Sequence, residues 1–125
     1  MSKGLRVYIA GALSSNENTE RKPIKVVTDY IQNVSDMCKA ALLVRRKGHF
    51  PYVPGLDFLL GIVAGDWEEE DYKELSSSFL EVCDAILVIS NSQGVQQEIE
   101  RAGELGIPVY YRLEDVPDGR QGELF

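Results

Sequence analysis

The stretch Ser92-Gln93-Gly94-Val95-Gln96-Gln97-Glu98 follows directly on the apolar run at residues 84–90 (DAILVIS). It carries two chemical possibilities. If Ser92 opens a helix there, free backbone N–H groups and the positive end of the helix dipole can hold an anion, worth ~0.3–1 kcal/mol per charge when exposed. Ser92 can equally act as a plain N-cap, and the two roles are compatible. Glu98 falls in the second turn, between core-facing Val95 and Ile99, which brings its carboxylate toward the carboxyl edge of a sheet. A carboxylate beside an oxocarbenium-like centre can stabilise the charge or trap it covalently. Taken alone, Glu98 with Arg101 three residues on also reads as a solvated surface ion pair.

A second constellation sits near the start. Gly11 stops the apolar run LRVYIA, and Ser14 and Ser15 lie just beyond it. A glycine there permits close backbone approach to a ligand, and hydroxyls can bind phosphate oxygens. The alternative is a turn followed by a solvated loop. The pattern is neither GxGxxG nor a Walker loop. Tyr8, Phe50 and Tyr52 can stack on a planar base, or fill core beside a sheet. His49, the single histidine, suits a structural role better than acid/base work. Cys38 and Cys83 have no partner at metal-ligand or CxxC spacing and read as buried thiols, so no metal is expected. The acidic run Asp66, Glu68, Glu69, Glu70, Asp71 reads as the favourable first turn of a helix.

These groups need elements to position them. Residues 5–10 and 84–90 have the look of buried central strands. Helical spacing runs from Pro23 through Val27, Tyr30/Ile31, Val34, Met37/Cys38, Ala41 and Val44, with Arg45, Arg46 and Lys47 before the stop at Gly48. HFPYVP (49–54) is a short extended segment whose prolines confine it to an edge or a strand end. Residues 55–63 form a brief helix broken by Gly65, and residues 67–83 a longer one. The helix after Ser92 buries Val95, Ile99, Ala102 and Leu105 and ends at Gly106. Residues 108–111 give a last strand, and 113–125 an acidic, peripheral tail. Alternating strand and helix imply a parallel sheet wrapped on both faces. In such sheets ligands bind at the carboxyl ends of the strands, where both candidate loops lie.

A chain of 125 residues fits one domain, residues 1–125, with an ordinary 44% apolar and 26% charged composition. A net charge of −7 and a pI near 4.7 argue against binding a nucleic-acid polymer, though not against a small anionic ligand. No apolar run reaches the length of a membrane span, and Met1 to Arg6 lead straight into a strand, so no signal peptide is expected. A cytoplasmic address is the default.

Tyr8-Ile9-Ala10-Gly11, Cys83-Asp84-Ala85-Ile86-Leu87-Val88-Ile89, Ser92 to Glu98 and Ala102-Gly103-Glu104-Leu105-Gly106-Ile107-Pro108-Val109, in that order, resemble the nucleoside 2-deoxyribosyltransferase superfamily. The S-x-G-V-x-x-E form is similar to its 5′-monophosphate N-glycosidase branch. The stretch from Gly48 to Pro54 looks like a related group of small bacterial and phage domains. The resemblance implies a flavodoxin-like (Rossmann-like) three-layer sandwich with a four- to five-stranded, mainly parallel sheet. It implies a nucleoside or nucleotide ligand, no cofactor, and a homo-oligomer. Glu98 takes the place of the family's nucleophile and Tyr8 that of its sugar-side tyrosine. Ser92 matches the 5′-phosphate contact, and Gly11 the close-approach glycine, with Ser14 and Gly94 beside them. The family's Gly-Pro or Gly-Ser is Gly11-Ala12 here. The place of its base-handling aspartate falls at Ser76 or Ser77, with Asp71 the nearest carboxylate upstream, so Ser76 is expected on the substrate side. Without a group to protonate the base, departure slows by about 10²–10⁴-fold. A nucleotide-binding or sensor module without turnover is the alternative.

Overall fold

The computed structural model describes residues 4–13 and 23–119. Four strands form one sheet: β1 (Arg6–Ala10), β2 (Phe50–Tyr52), β3 (Ala85–Val88) and β4 (Val109–Tyr110). Their order is β2-β1-β3-β4 and every pairing is parallel, with Tyr8 opposite both Tyr52 and Ile86. The chain therefore leaves β1 in one direction to reach β2 and ends on the other side of β1. That reversal leaves a crevice at the carboxyl ends of β1 and β3. This is a flavodoxin-like, three-layer α/β fold with four strands.

Side-chain alternation along β1 and β3 builds two cores. Val7, Ile9 and Leu87 point to one face, where Met37 and Val44 of α1 (Pro23–Arg46) cover them. Tyr8, Ala10, Ile86 and Val88 point to the other. There they meet Leu80 of α3 (Glu69–Leu80) and Val95 and Ala102 of α4 (Gln93–Leu105). A strand buried on both faces must be apolar throughout, which is why VYIA and AILV contain no charge. The proline-bearing HFPYVP segment lies at the sheet edge as β2, where a missing N–H costs least.

The local stops follow from the sequence. Helix α3 begins one residue after Glu68, whose side chain and that of Asp71 form a reciprocal capping box. Helix α2 (Asp57–Ala64) ends at Gly65 and α4 at Gly106, both left-handed. Strand β3 is shorter than the apolar run because Asp84 is used at its entry, where its carboxylate accepts from the Arg6 N–H at 2.8 Å.

Residues 113–119 correct the expectation of a peripheral tail. After a 3₁₀ turn (Leu113–Asp115), Val116 is buried against the α1 face of the sheet. The Gly119 N–H bonds to the Lys47 carbonyl at 2.6 Å. His49 completes the anchor. It is buried, its Nδ1 accepts from the Leu5 N–H at 3.0 Å, and its Nε2 donates to the Pro117 carbonyl. Both ring nitrogens are thus occupied in joining the start of β1 to this segment, a structural role.

Candidate functional site

A cleft of about 1210 Å³ opens at the carboxyl edge of the sheet. Tyr8, Gly11, Ser76, Ser92, Gly94 and Glu98, drawn from β1, its exit loop, α3 and α4, all line it. Ser14 lies outside the described residues. The two exit loops are tied together: the Ala12 N–H bonds to Ser90 Oγ at 2.8 Å, and the Ile89 N–H to the Ala10 carbonyl at 2.9 Å.

Tyr8 and Glu98 are in direct contact, the phenol donating to Oε2 of the carboxylate. Tyr8 is fully buried, and burial together with the charge of Glu98 pushes its phenol above the ordinary range. It is therefore a neutral, fixed donor. Burial also raises the Glu98 carboxyl above the usual carboxylate range, while the bond from Tyr8 pulls it back toward ionisation. Ser76 of α3 lines the same cleft, its hydroxyl donating to the Lys73 carbonyl at 3.3 Å. The surface ion-pair alternative for Glu98 does not describe this arrangement. Arg101 instead pairs with Glu81 at 3.1 Å and Glu104 at 3.3 Å.

Ser92 caps α4, its Oγ accepting from the Val95 N–H at 3.1 Å. A hydroxyl that accepts one bond still has a proton to donate, so the cap leaves Ser92 able to bind an acceptor in the cleft. Gly94 keeps the helix entrance open: a Cβ there would meet only Ser92 Oγ, at 3.8 Å. Gly11 has a different basis. A Cβ on it would come within 3.1 Å of Ile89 and Met37, so its smallness serves packing of the exit loop as well as the cleft.

Other sequence candidates are dispersed or otherwise engaged. Phe50 lies opposite Arg6 at the entry end of β1, away from the cleft, under the Arg45 guanidinium at 4.9 Å. Tyr52 packs between Tyr8 and Phe79, with ring centroids at 5.5 and 4.8 Å, and its hydroxyl donates to Asp57. Asp71 is exposed, and its carboxylate accepts the Glu68 N–H at 2.8 Å within the capping box, so it does not stand in for the absent aspartate. Burial, with the nearby Asp84 charge, pushes the Cys83 thiol up to about 11, which leaves it an unreactive thiol. Among the described residues no cluster of three His, Cys, Asp or Glu could hold a metal ion, and no helix is long and apolar enough to cross a membrane.

Sequence reasoning missed the aromatic wall of the cleft. Phe58 of α2 and Tyr72 of α3 line it, stacked at 5.1 Å and 27°. Fourteen residues separate them, and neither lies in a recognisable motif, so only the packing of α2 on α3 makes them neighbours.

No family model, curated protein or solved structure matches this chain.

Proposed function

We propose that the protein binds a (deoxy)nucleoside or its 5′-monophosphate in this cleft and cleaves or transfers the N-glycosidic bond, with Glu98 as nucleophile. One observation carries the reading: a carboxylate held by a buried phenol, in the cleft that also contains the open N-terminus of α4. Tyr8 engages Oε2 and leaves Oε1 to attack the anomeric carbon. The bond from that carbon to the base nitrogen breaks, its electron pair leaves with the base, and an ester to Glu98 forms. Water or a second base then displaces the carboxylate. Ser92 and the α4 N–H groups would take the 5′-phosphate.

The departing base needs a proton, and the hydroxyls of Ser76 and Ser77 are poor acids. Substrates with good leaving bases are therefore turned over best. The same feature favours a second reading, a nucleotide-binding or sensor module that does not turn over. Incubation with a panel of nucleosides and monophosphates, following free base by chromatography, separates the two. Release by the wild type and none by Glu98→Gln is the expected result. Equal rates for both proteins would remove Glu98 as nucleophile, and binding without release by either would establish the module.

The proposal extends to a cytoplasmic homo-oligomer. Its physical support is the apolar outer surface of α2, where Leu59, Leu60, Ile62 and Val63 are all about half exposed or more. Monomers rarely leave large contiguous apolar patches open.

A further inference from the structure

The cleft has one wall of aromatic rings that nothing in the Glu98 chemistry uses. Four rings from separate segments run in a chain. Tyr30 meets Phe58 at 5.1 Å, Phe58 stacks on Tyr72, and Trp67 lies 5.4 Å from Tyr72. The chain is held at both ends of α2. The Tyr30 hydroxyl donates to the Gly55 carbonyl at 2.8 Å. Gly61, buried inside α2, leaves the slot that Tyr72 occupies: a Cβ there would overlap the Tyr72 hydroxyl and approach Trp67 Cβ at 2.9 Å. Glycine is unfavourable inside a helix, so its presence marks a place where ring position outweighs helix propensity.

A purely structural cluster would bury its rings. Phe58 is 39% exposed, and it and Tyr72 both border the cleft. Glu69 and Lys73 border it too, in an exposed pair at 3.3 Å that is weak enough to exchange for other partners. We infer that Phe58 and Tyr72 form the stacking surface of a subsite for a planar heteroaromatic ring, the base, with Glu69 and Lys73 presenting an acceptor and a donor to the ring edge. This rests on the nucleoside reading above and assigns the base end of that ligand. Aromatic faces suit this task because every base has a π-face to stack.

Calorimetric titration of the full chain with the four deoxynucleoside 5′-monophosphates, and with 2-deoxyribose 5-phosphate, tests the assignment. Phe58→Ala should weaken the monophosphates by about 10- to 100-fold and leave the baseless sugar phosphate unchanged. Phe58→Tyr should restore the affinity. Should Phe58→Ala fail to fold, Phe58→Leu keeps bulk without a planar face and should show the same selective loss. The fluorescence of 2-aminopurine deoxyriboside 5′-monophosphate should be quenched on binding the wild type and less so on the leucine variant. Equal weakening of both ligand types, or monophosphate affinity unaffected by either substitution, overturns the subsite while the nucleoside reading stands. No binding by the wild type of any monophosphate, nor of any of the four matching deoxynucleosides titrated in the same way, overturns that reading, and the subsite with it.

Discussion

The proposed mechanism needs Glu98 to be partly buried and ionised at once. Its carboxyl keeps its proton to higher pH in the folded protein than in the unfolded chain. Its contribution to stability is thus fully present below the ordinary carboxylate range and is lost as pH rises through the raised value. Glu98→Gln removes that cost and can still accept the Tyr8 bond through its amide oxygen. The variant should melt higher than the wild type at pH 8, by about 3–6 °C for each kcal/mol relieved, and the difference should vanish in acid. Differential scanning calorimetry at two pH values reads both. Tyr8→Phe acts the other way on the site. Losing the donor raises the Glu98 carboxyl further, so the acid limb of the kcat/KM profile should move to higher pH. The rate at the plateau should drop about 10- to 100-fold, the worth of a hydrogen bond to a charged group. An unmoved acid limb would mean that the phenol does not tune Glu98.

In the proposed function the N-terminus of α4 serves both a helix and a ligand, and two substitutions pull these apart. Ser92→Ala removes the bond from the Val95 N–H and should cost about 0.5–2 kcal/mol in urea unfolding. It should also weaken a 5′-monophosphate more than the matching nucleoside, which lacks the phosphate. Gly94→Ala does the reverse. Its Cβ meets no close neighbour, so the helix should gain about 0.5–1 kcal/mol. The methyl group would stand at the helix entrance, and monophosphate affinity should fall. If both substitutions change binding only in step with stability, Ser92 is a cap and nothing more.

At the scale of the molecule, the two ends of the described chain are stitched together at the entry edge of the sheet, opposite the cleft. Val116 is 1% exposed and packs beneath α1, and His49 bridges the Leu5 N–H and the Pro117 carbonyl. Val116→Ala should lower global stability by about 1–3 kcal/mol, as a core truncation does, although the residue falls in a segment whose composition looks like a tail. Chemical denaturation measures it, and a change under 0.5 kcal/mol would show the segment to be peripheral after all. The opposite surface carries the apolar face of α2. If a second copy covers it, Ile62→Glu should shift sedimentation from oligomer to monomer without unfolding the chain.

Much of this arrangement is written locally. Continuous apolar runs at β1 and β3 demand burial on both faces, the prolines of HFPYVP require an edge, and Glu68 with Asp71 or Ser92 with Gly94 mark where helices start. Strand-helix alternation then dictates a parallel sheet with its site at the carboxyl edge, because parallel strands need crossovers and these leave a crevice where the order reverses. Periodicity alone could not separate Glu98 as a surface partner of Arg101 from Glu98 as a buried acid. That outcome turned on the register of β1 against β3 and α4, which sets the Tyr8 phenol 90 residues away against its carboxylate. The same holds for Phe58 and Tyr72, brought together by a slot at Gly61, and for Val116 under α1. Local sequence specifies what each segment can bury and where it must stop. Which side chains end up sharing one low-dielectric cleft is a property of distant segments packed together, and only the tertiary structure decides it.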